Sequence, residues 1–378
     1  MIKLLFTGDL SCTGKFKTSV EDNREIFSDR LLSLFKEYNH IICNFEGAAT
    51  NLKNIYRSDC DVRSPEKSIK YFYERNILVY NLANNHVFDC GYEGFKNTRD
   101  KILEVGGKYF GAGKNIEEAS RVEFISEGDL TIGLVGVCHK EGLIATKNTE
   151  GVFCDIYENH IKSKIIEAKT KCDWVILNYH GGEEYTRYPM PKKRNKFKKY
   201  LNYGADVIIG HHPHVVQGVE KINNKFIFHS LGNFIFDIKQ QRNKKYINNS
   251  VLLDLRFTKS KITYFNIPIK IDVSNEKIFI QNEYKGFIGL SNFSDYKRRW
   301  QQECFRVVCI DESLKSLKFD WIKKIFKRFP LLIIIGNFVK IKRLTYGHNY
   351  RPVLYGACLF YLKTIFKHGE RLKIISND

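Results

Sequence analysis

Val207-Ile208-Ile209-Gly210-His211-His212-Pro213-His214-Val215-Val216-Gln217 decides how this chain is read. The first three residues are branched and apolar, the pattern of a short strand buried on both faces. Gly210 then opens a loop in which three imidazoles surround a proline. Histidines crowded into such a loop have little packing use, and clustered imidazoles are what borderline divalent metals take as ligands.

Outward from this loop the same design repeats. Strand-like runs lie at residues 3–7, 41–44, 78–82, 132–137, 174–178, 207–209 and 226–229. Amphipathic stretches separate them, among them 26–38, 65–75, 94–106 and 155–171. The alternation predicts an α/β fold with a largely buried sheet. From 249 onward consecutive strands follow at 250–258, 261–271 and 277–282, expected as a meander that completes a second sheet.

Most of the runs end in a polar cluster drawn from one chemical alphabet. The first ends in Gly8-Asp9, the second in Asn44-Phe45-Glu46, and the third leads to Asn84-Asn85-His86 with Asp89 beyond. His180 and Glu184 follow the run at 174–178, and His229 leads to Asn233 and Asp237. The carboxyl ends of strands in an open α/β sheet meet along one edge, where ligands bind. Each cluster alone has a plain alternative: Gly8-Asp9 a turn, Asn44-x-Glu46 a helix start, His180 a core histidine, Asn84–His86 a turn. Their repetition after successive strands favours one shared metal site, and six of the 11 histidines lie in these clusters.

Composition bounds the rest. The chain has 378 residues, 43% of them hydrophobic and 14% aromatic, enough for a sizeable core. Disorder, collagen-like repeats and a disulfide scaffold are excluded. A net charge of +19 favours anionic partners. Ten scattered cysteines without a C-x-x-C pair point to a reducing compartment, with neither structural zinc nor disulfides.

Met1-Ile2-Lys3 runs straight into a strand pattern, so no leader is expected. The longest uncharged apolar stretches, 329–339 and 352–362, are about half the roughly 20 residues a spanning helix needs. A cytoplasmic location, peripheral on the inner membrane face at most, is the expectation. Composition shifts again near Gly286, and residues 315–378 carry 14 Lys+Arg against three Asp+Glu. The expected domains are therefore 1–285 and a basic, aromatic, mainly helical extension at 286–378. The extension could lie on an anionic bilayer, or equally pack as a helical subdomain or offer a surface to a partner such as a membrane synthase. Nucleic acid is not expected, since no binding motif accompanies the charge.

Taken in order, Gly8-Asp9, Asn44-x-Glu46, Asn84-Asn85-His86-x-x-Asp89, His180-x-Gly182-x-Glu184-Tyr185, Gly210-His211-His212-Pro213-His214-Val215-x-Gln217 and Ser230-Leu231-Gly232-Asn233-Phe234 resemble the CapA family. That family makes capsule and poly-γ-glutamate and sits within the calcineurin-like metallophosphoesterases. The resemblance covers about residues 2–272. It implies a four-layer α/β/β/α sandwich of two mixed sheets, two divalent ions (Mn, Fe or Zn), and an anionic polymer or phosphorylated substrate. By the same resemblance Asp9 and His214 would hold one ion, and Asn85, His180 and His212 the other, with Glu46 between them. His86, oriented by Asp89, would serve the leaving oxygen. Asn44, Asn84, Glu184, His211, Gln217, His229, Asn233 and Asp237 would support the ligands or touch substrate. The superfamily's usual first motif is Asp-x-His, and Ser11 stands in place of that histidine.

Overall fold

The computed structural model describes residues 1–56, 60–283 and 290–307. The chain begins with β1 (Ile2–Leu10), α1 (Lys15–Glu21), α2 (Asp29–Phe35), β2 (His40–Phe45), α3 (Lys67–Tyr73) and β3 (Ile77–Asn81). Next come α4 (Gly91–Glu104), β4 (Lys108–Phe110), β5 (Ala112–Gly113), α5 (Ile116–Ala119), β6 (Glu123–Glu127) and β7 (Leu130–Cys138). The middle of the chain forms β8 (Gly151–Val152), α6 (Glu158–Lys171), β9 (Trp174–His180), α7 (Pro191–Tyr203) and β10 (Val207–His211). Then follow β11 (Val216–Ile222), β12 (Lys225–Leu231), β13 (Asn233–Ile235), β14 (Asn249–Phe257), β15 (Ile262–Asp272), β16 (Lys277–Ile280) and α8 (Tyr296–Phe305).

Two mixed sheets carry the fold. One runs β16-β15-β14-β1-β2-β3-β4 with β13 also on β1, and the other runs β11-β12-β10-β9-β7-β6. Period-two alternation along buried strands builds three cores at once. On β1, Leu4 and Phe6 face the core between the sheets while Leu5 faces the helices outside. On β10, Val207 and Ile209 face inward and Ile208 packs with α6 and α7. The layers are therefore helix, sheet, sheet, helix, as the resemblance implied.

The meander at β14–β16 is antiparallel but does not complete a second sheet. It extends the first one, because β14 pairs antiparallel with β1, Leu5 opposite Asp254. The second sheet comes instead from the middle of the chain. Residues 290–307 belong to the inter-sheet core, where Leu290, Trp300, Cys304 and Val307 are buried. The boundary expected at 286, and the extension from 308 onward, lie outside the described residues. Among the described residues no helix is long and apolar enough to cross a membrane.

Parallel pairing places the strand ends level. Asp9 lies opposite both Asn44 and Asn233, Asn44 opposite Asn81, and His180 opposite both Cys138 and His211. Close backbone approach at this edge requires small residues. A Cβ on Gly8 would lie 2.0 Å from the Gly232 carbonyl oxygen, and one on Gly210 would lie 2.2 Å from that of His229.

Candidate metal centre

Asp9, next to last in β1, is fully buried. Asn44 Nδ2–H donates to its Oδ1 at 2.9 Å, and the His212 backbone N–H donates to Oδ2 at 3.1 Å. His211 Nδ1 stands 3.4 Å from Oδ1, and His214 Nδ1 stands 3.3 Å from Oδ2. Burial works against ionisation here, but the two imidazoles outweigh it and hold the carboxyl well below the usual carboxylate range.

Glu46, one residue past β2, is the point of convergence. Its Oε1 lies 3.9 Å from Nε2 of His86, of His180 and of His214. Asn85 Oδ1 sits 2.8 Å from His180 Nε2. Two groups of donor atoms lie within 4.8 Å of one another: Glu46, His212 and His214, and Asp9, Glu46 and His180. They share Glu46, and together they hold Asp9, His180, His212 and His214 around it.

The loop carrying the imidazoles is strained. His212 and His214 both have positive φ, 90° and 56°, a region that non-glycine residues enter at a cost of order 1–3 kcal/mol each. Asn233 Oδ1 accepts from His214 Nδ1–H at 2.8 Å, which leaves His214 Nε2 turned towards Glu46. Burial would lower His214, but the charges of Glu46 and Asp9 prevail and raise it to about 10. His180 and His212 are pushed down chiefly by burial, into the neutral form that a metal ligand needs. Carboxylates, an amide oxygen and imidazoles buried at these separations fit divalent ions.

Around this group, His86 Nδ1 lies 2.6 Å from Asp89 Oδ2, a carboxylate–imidazole pair at the pocket wall. Asn84 Oδ1 accepts from the His86 and Gly47 backbone N–H groups and so ties the two loops together. Glu184 is half-buried and its charge reaches His214. Gln217 is turned to the Thr186 carbonyl at 2.7 Å. Asp237 grips Arg242 and the Lys15 backbone at the start of α1. His229 is not brought to the pocket: it lies between Phe197 and Phe293 on the helix side of its sheet, 3.5 Å from Glu220. Ser11 Oγ–H donates to the Val62 carbonyl at 2.8 Å.

Three features escaped the sequence reading. Asn81 Nδ2–H donates to Asn44 Oδ1 at 2.8 Å and orients that amide. The loop after β7 brings Glu141 Oε2 to 3.6 Å from His212 Nε2. His139 Nδ1 lies 2.8 Å from Asp155 Oδ2 beside it. Cys138-His139-Lys140-Glu141 follows an apolar run as the other clusters do, and that signal could have found the last two.

The layering and the buried carboxylate–imidazole cluster define a four-layer α/β protein with a candidate metal centre between its strand ends. Residues 3–238 match the family described as bacterial capsule synthesis protein PGA_cap, and the chain belongs to that family. It is 30% identical over 307 residues to the PGA biosynthesis protein CapA of Bacillus subtilis (strain 168), covering 76% of this chain and 78% of that one. It is 33% identical over 218 residues to the capsule biosynthesis protein CapA of Bacillus anthracis, covering 55% and 53%. Among solved structures it is similar to the NAD nucleotidase of Haemophilus influenzae, with 12% identity, 92% and 61% coverage and a TM-score of 0.40.

Proposed function

We propose that this protein is a CapA-like component in the biosynthesis of an anionic cell-surface polymer, capsule or poly-γ-glutamate, and that its pocket is a metal-dependent hydrolytic centre. The observation that carries the reading is the convergence of His86, His180 and His214 on one Glu46 oxygen at 3.9 Å. Asp9, Glu46, Asn85, His180, His212 and His214 would hold two divalent ions, Mn, Fe or Zn. Ions there would supply Lewis acidity towards a phosphoester or an amide carbonyl and towards the attacking water.

The chain's own residues do the rest. Asp89 accepts from His86 Nδ1–H and so fixes the ring with Nε2 towards the pocket, where Nε2, when it too carries a proton, would donate that proton to a departing oxygen. Asn44, oriented by Asn81, fixes Asp9, and Asn233 fixes His214. The partner would be an anionic polymer or a phosphorylated substrate, with a membrane or synthase contact through the chain beyond residue 307.

The test is turnover of an aryl phosphate and of a γ-glutamyl anilide with added Mn²⁺. Wild type should turn over at least one of them, and His86→Ala should lose about 10²–10⁴-fold in rate while still taking up the ion. If wild type binds Mn²⁺ yet is as inert as His86→Ala on both, the hydrolase reading fails. The protein would then be a non-catalytic metal-binding subunit of a polymer synthase or export complex.

A further inference from the structure

We propose that Glu141, from the loop after β7, is a further oxygen ligand for the ion held by His212. The inference rests on the metal-centre reading above and adds to it a donor from a strand end that the resemblance leaves out.

The backbone puts the carboxylate there. β7 runs parallel to β9 with Cys138 opposite His180, so the chain leaves the sheet beside a pocket histidine. The Glu141 N–H donates to the His139 carbonyl at 2.6 Å, a tight turn that sends the side chain back over the pocket. Gly142 then passes so close to Asn84 and Asn85 that a Cβ would lie 3.1 Å from the Asn85 Cα. Turn and glycine together hold the loop against the strand end that carries Asn85.

The donor geometry agrees. Glu141 Oε2 is 3.6 Å from His212 Nε2, and the side chain is only 16% exposed. Donor atoms bonded about 2.1 Å from one ion lie roughly 3–3.6 Å apart. The other oxygen, Oε1, stands 3.9 Å from His139 Nε2. His139 is itself held through Nδ1 by Asp155, which also takes the Tyr179 hydroxyl at 2.6 Å and the Lys196 ammonium. A buried carboxylate, an imidazole and a second carboxylate in line are the outer support that metal-binding side chains commonly have. Ser11, engaged with Val62, offers no ligand. Glu141 adds a donor to the ion on His212 and makes the set richer in oxygen, which suits Mn²⁺ better than Zn²⁺.

The experiment titrates Mn²⁺ into the full-length protein and follows the EPR signal of the free ion. It compares wild type, Glu141→Gln, Glu141→Asp and, as a surface control, Glu104→Gln. Wild type and Glu104→Gln should take up two ions. Glu141→Gln should bind one of the two at least about tenfold more weakly, with the melting temperature of the ion-free protein unchanged. Glu141→Asp keeps the charge but withdraws the oxygen, so it should be weakened too; full affinity in that variant would show that only the charge matters and overturn ligation. Wild-type affinity in Glu141→Gln overturns the inference while leaving the centre intact. No Mn²⁺ uptake by wild type removes the centre itself, and this inference with it.

Discussion

Glu46 Oε1 faces three imidazole nitrogens at one distance, and its charge is the largest of those that hold a proton on His214 against the effect of burial. An ion must displace that proton before His214 can donate its lone pair. Mn²⁺ affinity should therefore rise with pH throughout the range below about 10, and titrations in buffers of different ionisation enthalpy should report proton release. Glu46→Gln removes the charge that raises His214 and the donor common to both groups, so uptake of both ions should be lost in the same titration. These residues were legible because each follows an apolar run in a recognisable order. Asn81 was not, since it lies within the apolar run and reaches the site through Asn44. Glu141 and His139 were hidden by the lysine between them, which makes the segment look like an ordinary surface turn.

Among the elements, α7 carries a dense basic run from Lys192 to Lys199. Its basic run looks like a collector for an anionic polymer or a solvated face, yet the fold answers most of it internally. Arg194 forks onto Glu220, Lys198 reaches the same carboxylate, Lys196 meets Asp155, and Lys199 lies 3.2 Å from Glu158. Lys193 is buried, donates to the His229 carbonyl and is pushed down to about 8, chiefly by burial.

His229 beneath it is lowered to about 4, again chiefly by burial and against the pull of Glu220. The unfolded chain, with a histidine near 6.5, takes up a proton first. This contribution to stability is thus complete above pH 6.5 and is lost as pH falls towards 4, a change on the order of 3 kcal/mol. Thermal melts of wild type and His229→Gln between pH 7.5 and 4 should converge as the pH drops; parallel curves would contradict the assignment. At the neighbouring strand end, Gly210→Ala would drive a methyl group into the His229 carbonyl. A loss of roughly 3 kcal/mol in chemical denaturation is expected.

Across the whole molecule, the pairing least legible in the sequence is the longest. Local periodicity identifies β14–β16 as a meander but carries no record of which sheet receives it. The free edge of β1, at the opposite end of the described chain, decides that. The same holds for residues 290–307, which composition assigns to an extension and packing assigns to the inter-sheet core. A chain ending at residue 285 would leave the pocket residues in place but remove Leu290, Trp300, Cys304 and Val307 from that core. Its stability should drop by on the order of 5 kcal/mol, read as a lowered denaturation midpoint against the full-length protein.

Pairing of the first strand with late ones also sets a timetable for synthesis. Asp9 leaves the ribosome early but is braced by Gly232 through its backbone, by Asn233 across the strand pair, and by His212 on its carboxylate. Further back along the same edge, Ile2 to Phe6 of β1 wait for β14. A nascent chain stalled before β13 carries every proposed ligand but lacks the Asn233 pairing beside Asp9 and the Asn233 amide that fixes His214. Any cation held at that stage would sit against a strand whose late partners have yet to emerge.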